Sequence, residues 1–274
     1  MILKVETIHN IMEEYAPAIL SEDYDNVGLM VGDRDAEVTK ILIALDCTID
    51  VIREAVDTGC NFILTHHPLL FNKPKSITSD TLIGKKIIEL IKNNIALYAS
   101  HTNLDSVKGG LNDIATEMLG FNESKVMESS IIPGYDNGYN GYNGIGRLVT
   151  LDNPILLIDL CEKVKKIFNA KQIRYVGEDN RVIKTIAIIN GSGEDFFEMA
   201  RKFKADCIIT GDTKYHGACD LKEQGTSLID AGHFITEWIP FQIFGKIFRK
   251  KLRDNGYCNE VLISKGTVDT YKFI

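Results

Sequence analysis

The segment KILIALDCTIDVIREAVDTGCNFILTHH, starting at Lys40, is answered by KTIAIINGSGEDFFEMARKFKADCIITGD, starting at Lys184. With one residue of slippage, both run apolar strand, polar turn, amphipathic helix, apolar strand and polar tip. Strands alternating with helices imply βαβ units, because parallel neighbours cannot be joined by a tight hairpin. Downstream, LYASHTNLD (Leu97–Asp105) lies opposite IDAGHFITE (Ile229–Glu237), and each puts a small residue before a histidine and a carboxylate four positions after it. Two ordinary βαβ units can resemble one another by chance. The paired His-x-x-x-acid endings favour duplication. The expected fold class is therefore α/β, with two similar lobes whose strand ends converge on a shared cleft.

Hydrophobic periodicity fills in the rest. Helical spacing in Thr7–Tyr15 leads through VGLMVGD to a strand at Lys40–Leu45, a helix near Ile49–Thr58 and a strand at Phe62–Thr65. A helix near Leu82–Asn93, a strand at Ile95–Ala99 and a helix near Leu111–Leu119 complete the first lobe, residues 1–127. The glycine-, asparagine- and tyrosine-rich stretch PGYDNGYNGYNGIG reads as a mobile loop and sets a connection at 128–146. The second lobe, 147–274, is expected to hold strands at Arg147–Leu151, Gln172–Val176, Thr185–Asn190, Asp206–Thr210 and Ser227–Ala231. Its expected helices are Pro154–Phe168, Glu194–Phe203, His216–Gln224 and Glu237–Asp254.

Composition narrows the function. The 274 residues are 45% apolar and 25% charged, the profile of an ordinary soluble chain. A net charge of −7 argues against nucleic acid or an acidic membrane surface as partner. The basic run Lys246–Arg253 reads as the solvated face of a helix. The six cysteines form no C-x-x-C pair, and Cys47, Cys60 and Cys207 sit among apolar residues as small buried hydrophobes. The first residues carry acids and lack a signal-peptide core, and no window matches a membrane span, so the cytoplasm is the expected location.

Chemistry-bearing residues cluster at the expected strand ends: His66 with His67, His101 with Asp105, Asp212 with His216, and His233 with Glu237. Imidazoles with a few carboxylates suit borderline divalent ions such as zinc, iron, manganese, nickel or cobalt. If all the stations converge, there are too many ligands for one tetrahedral ion, and two metals would use them. Each station also has a bland reading. His66 and His67 could cap the strand end, Asp105 could be a helix N-cap, and His233 with Glu237 could be a helix-terminus pair. Four bland readings at once, in repeat-related positions, are harder to accept than one. GSGED (Gly191–Asp195) falls in a strand-to-helix turn whose amides could receive an anion, a weak signal because such turns need glycine anyway.

DNVGLMVGD, LTHHPLLF, SHTNLD, GSGED, ITGDTKYHGACD and DAGHFITE, in this order over nearly the whole chain, resemble the NIF-three-like family. Its members are catalogued as GTP cyclohydrolase 1 type 2 or dinuclear-metal-centre proteins. The resemblance implies two α/β lobes around a di-metal site in the cleft between them, and a toroidal homohexamer. It places the metal ligands on His66, His67, Asp105, His233 and Glu237, with two divalent ions per chain. His101 is not among that family's primary ligands and is expected to orient a ligand or move protons as a catalytic residue. The implied activity is metal-dependent hydrolysis of a nucleotide, opening the guanine ring of GTP with release of formate. A different class, a metal-binding regulatory or metal-handling protein without turnover, fits the same ligands. Tyr24 stands where relatives often have tryptophan, which should alter packing rather than ligation.

Overall fold

The computed structural model describes residues 1–129 and 142–274. Its chain divides into two compact units, 1–104 with 241–268 and 105–240 with 269–274. The expected lobe boundary at 128–146 differs from this division. Residues 125–129 and 144–156 are instead two neighbouring strands of one sheet, and the rest of the expected loop, apart from its last residues, lies outside the described residues. The division falls inside two helices, between Leu104 and Asp105 and between Pro240 and Phe241.

The first unit has a five-stranded sheet built from β1 (Gly28–Val31), β2 (Lys40–Ala44), β3 (Phe62–Thr65), β4 (Ala96–Ala99) and β11 (Glu260–Ile263). Their order is β1-β4-β3-β2-β11, all parallel except the edge strand β1. Helices α1 (Val5–Tyr15), α2 (Ile49–Thr58) and α3 (Leu82–Lys92) accompany it. Local chemistry sets their ends. The Thr48 hydroxyl accepts from Val51 N at the start of α2, and Gly59 closes the helix at φ +71. Every residue of β3 is buried, as a central strand covered on both faces requires. Strand β11 was not expected from the sequence, because it pairs with residues more than two hundred positions away. Glu54 of α2 pins the chain behind it, accepting from Lys265 N at 2.8 Å and Gly266 N at 2.9 Å.

The second unit holds β5 (Lys125–Ser129), β6 (Gly144–Leu156), β7 (Arg174–Val176), β8 (Val182–Ser192), β9 (Cys207–Gly211) and β10 (Ser227–Asp230). Their order is β5-β6-β8-β9-β10-β7, with β8, β9 and β10 parallel. Helices α4 (Thr102–Ser106) and α9 (His233–Asp254) span the division, while α5 (Leu111–Met118), α6 (Leu157–Ile167), α7 (Phe197–Lys202) and α8 (Tyr215–Glu223) belong wholly to this unit. The β8 side chains alternate between two cores. Ile186 and Ile188 pack with α6 residues Leu160 and Val164, whereas Ala187 and Ile189 pack with Phe197 and Leu221. Pro154 lies in β6 rather than opening a helix, and α6 starts three residues later.

The duplication holds at the level of topology. In each unit three consecutive strands, β2-β3-β4 or β8-β9-β10, lie side by side and parallel, and the strand before them pairs antiparallel with the third. The chain is thus α/β with two similar units. No helix among the described residues is long and apolar enough to cross a membrane. All six cysteines are free, and Cys47, Cys60 and Cys207 are buried as expected.

Arg147 of β6 is 1% exposed and donates to both carboxylate oxygens of Asp113, through Nε at 2.6 Å and Nη2 at 3.0 Å. Burial alone would raise the Asp113 pKa, but the guanidinium and the Gly109 amide outweigh it and hold it below the ordinary carboxylate value. Removing one partner of such a pair leaves a buried charge alone, so Asp113→Ala should cost about 3–5 kcal/mol, read from the urea midpoint. Because the folded pKa is lowered, the stabilisation is present above the unfolded carboxylate pKa and is lost as pH falls through the lower folded value. An Asp113→Asn variant should lack that acid limb.

Candidate metal centre

In the first unit, parallel pairing continues past the strand ends, with Ser100 N donating to Thr65 O at 3.0 Å. His66 and His67, just beyond β3, thereby meet His101, just beyond β4. One ring nitrogen from each lies within 4.8 Å of the other two. Each ring is fixed through Nδ1. His66 Nδ1 donates to the Ser100 carbonyl at 2.9 Å, and a carbonyl can only accept, so the Nδ1–H tautomer is set. His67 Nδ1 meets Asp46 Oδ1 at 2.9 Å, and His101 Nδ1 meets Asp25 Oδ1 at 3.0 Å.

Asp25 belongs to the DNVGL motif, and its role is seen in the structure alone. Its side chain is fully buried and also accepts from Thr102 N at 3.1 Å and from the Thr102 hydroxyl. Burial would raise its pKa, yet the bonds from His101 and Thr102 hold it well below the usual carboxylate range. Asp46 was missed for a different reason: it lies at the end of β2, and only the sheet brings it beside His67.

The second unit repeats the device. Asp212 follows β9 in the left-handed region, at φ 53, and its Oδ2 accepts from His233 Nδ1 at 2.9 Å. The expected pairing of Asp212 with His216 is not found; the His216 ring lies against Tyr215, with centroids 5.6 Å apart. His233 opens α9, and one turn later Glu237 puts Oε2 2.8 Å from His233 Nε2. Glycine makes room for this pair. A Cβ on Gly191 would overlap Glu237 Oε1 and lie 3.4 Å from His233 Nε2, and one on Gly211 would come within 2.5 Å of His233 N. The expected anion role of GSGED gives way to this one. Gly191 N donates to the Thr236 hydroxyl at 3.1 Å and Gly193 N to the Thr210 hydroxyl at 3.0 Å, so these amides are already engaged.

Asp105, on α4, is in neither the imidazole group nor the His233–Glu237 pair. Its main chain is nevertheless tied to the latter's surroundings. Asn112, 1% exposed, donates to Asp105 O at 3.2 Å and accepts from Asn190 N at 3.0 Å, the residue before Gly191.

The side chains of each unit, taken by themselves, have the chemistry to hold a divalent cation. With Nδ1 committed as donor, Nε2 of all four histidines is the lone-pair nitrogen, the one able to take a cation or a proton. A lone pair 2.8 Å from a carboxylate oxygen is repulsive unless a proton or a cation lies between them. Carboxylates and a carbonyl behind the rings are the usual outer support of metal-binding imidazoles.

The model of the Duf34/NIF3 (NGG1p interacting factor 3) family matches residues 3–269. The chain belongs to this family. A relative named "GTP cyclohydrolase 1 type 2 homolog" from Clostridium acetobutylicum is 50% identical over 273 residues, covering 100% of both chains. A protein of the same name from Clostridium perfringens is also 50% identical, over 99% of this chain and 100% of its own. Among solved structures, Staphylococcus aureus protein SA1388 superposes with a TM-score of 0.92 at 30% identity and 100% coverage of both chains. A Bacillus cereus protein related to NIF3 gives 0.89 at 25% identity, again over 100% of both chains.

Within this Duf34/NIF3 chain, Gly191→Ala should reduce bound metal by at least about tenfold, since its Cβ takes the place of the Glu237 carboxylate. Asp46→Ala and Asp212→Ala should each weaken metal affinity by roughly 10–100-fold. Elemental analysis of folded protein, with circular dichroism as the control for folding, would check all three.

Proposed function

We propose that this protein is a metal-dependent hydrolase that binds two divalent ions through His66, His67, Asp105, His233 and Glu237. The observation that carries this reading is that His66, His67 and His233 are each held at Nδ1 by an acceptor, which leaves Nε2 as the ligating atom. When bound, such a pair of ions would lower the pKa of a water and stabilise charge developing on the substrate's oxygens. His101 acts beside them. Asp25 keeps its Nδ1 protonated, so Nε2 is the atom that accepts a proton from the attacking water and returns it to the leaving group. Thr102 and the buried Asp25 hold the ring in place while this happens.

The name carried by the 50%-identical relatives directs the substrate reading to GTP. Water adds at C8 of guanine, the imidazole ring opens, and a second water releases formate. We place this activity in a homohexamer, as the resemblance implies, and in the cytoplasm, the location expected from the sequence. A metal-handling protein without turnover remains the second reading, because the same ligand set serves it. Metal content and formate release measured on one sample separate the two. Two metals per chain, lost together with formate release in His66→Ala and Glu237→Ala, is the expected result. His101→Ala should keep its metals and lose turnover by about 10²–10⁴-fold. Full metal occupancy with no formate under zinc, manganese, iron or nickel would overturn the GTP reading, and a wild type that binds no metal would overturn the whole.

A further inference from the structure

Asp230 opens the DAGHFITE motif, three positions before His233. It is 4% exposed, and its two carboxylate oxygens serve different segments of the second unit. Oδ1 accepts from Gly232 N at 3.0 Å, in the turn that leads into α9. Oδ2 accepts from Thr213 N at 3.1 Å and from the Thr213 hydroxyl at 2.6 Å, in the turn that follows β9. Arg174 of β7 also donates to Oδ2, and its guanidinium supplies the countercharge that a buried carboxylate needs. One side chain thus ties the residue just before His233 to the residue just after Asp212.

That tie falls where the site has least support of its own. Asp212 has left-handed backbone, at φ 53, a conformation that persists in a residue with a side chain where its surroundings over-determine it. The side chains of Asp212 and His233 are 54% and 31% exposed, and a contact so open to water contributes little by itself. The 2.9 Å bond from His233 Nδ1 to Asp212 Oδ2 therefore depends on two backbones fixed beforehand. The β9 turn is anchored twice, since Glu194 accepts from Lys214 N at 3.0 Å. Of these two carboxylates, Asp230 is the one that also holds the entry to α9.

The first unit shows the same chemistry in a shorter form. There Asp25 accepts from Thr102 N at 3.1 Å and from the Thr102 hydroxyl, and it also holds His101 Nδ1. In the second unit the two tasks are divided: Asp230 fixes the threonine and Asp212 the imidazole.

We propose that Asp230 is a positioning residue for His233. By fixing the Asp212–Thr213 turn against Gly232, it keeps the Asp212 carboxylate on Nδ1 and leaves Nε2 as the lone-pair nitrogen. Its effect on metal rests on the function proposed above, whereas its effect on the ring does not. An asparagine cannot replace it, because the side-chain NH₂ would meet an N–H or O–H donor on one of the two sides.

The test uses full-length protein with ¹⁵N-labelled histidines, stripped of metal by chelator. Ring nitrogen shifts recorded above the imidazole titration range report which nitrogen carries the proton, and His233→Gln identifies the signal. Wild type should show His233 as the Nδ1–H tautomer, and Asp230→Asn should show a mixture of the two. Metal affinity is read on the same variants. Asp230→Asn should weaken it about tenfold or more. In an Asp212→Ala background the further loss should shrink to about twofold or less, because both residues act through one contact. Thr213→Val, which removes the hydroxyl arm and keeps the amide, should move both readouts the same way, and Thr213→Ser should restore them. Should Asp230→Asn not fold, this pair decides alone. An unaltered tautomer in the folded variants, or affinity losses that simply add to that of Asp212→Ala, would overturn the positioning role. If wild type binds no metal, the proposed function falls and the tautomer by itself decides the role of Asp230.

Discussion

Parallel strands need crossover helices, and those helices cover both faces of the sheet. The strand ends are then the places left for polar groups, and the four histidines of the candidate site and Asp212 obey that constraint. His66 and His67 follow β3, His101 follows β4, Asp212 follows β9, and His233 stands three residues beyond β10. Ladder bonds that run on past the strand ends, such as Ser100 N to Thr65 O at 3.0 Å and Ala231 N to Thr210 O at 2.9 Å, keep these tips in register. A buried frame of apolar β-strands is what makes these imidazoles stand in fixed places.

Orientation is settled by a second, smaller set of forces. An imidazole at a strand end could present either nitrogen. Here the acceptor behind each ring decides, a backbone carbonyl for His66 and carboxylates for the others. Glycine completes the arrangement by absence. Gly191 and Gly211 leave the space that Glu237 and the start of α9 occupy, so the glycines of the β8 and β9 tips serve carboxylate and imidazole rather than an anion.

Much of this was legible before any coordinates. The repeat of strand, helix and strand gave two similar α/β units because periods of 2 and 3.6 residues are visible in a short window. The histidines stood out because neighbours at the end of an apolar strand point to opposite faces and cannot share one core pocket. What escaped had no local signal. Strand β11 exists only because its partner β2 is elsewhere in the chain, and β6 carries Pro154 inside a strand, where local preference points to a helix start. The task of Asp25 and Asp46 appears only beside His101 and His67.

The sequence by itself determined the class of fold, the family and the kinds of atom available for chemistry, since these follow from periodicity, motif order and side-chain type. Tertiary structure decided which carboxylate stands behind which histidine and which ring nitrogen faces outward. It also decided how the chain is shared between units, returning residues 241–268 to the first sheet's unit. The physical reason is range. Propensity and hydrophobic pattern act over a few residues, whereas a hydrogen bond from His101 to Asp25 joins positions that only a folded sheet brings together.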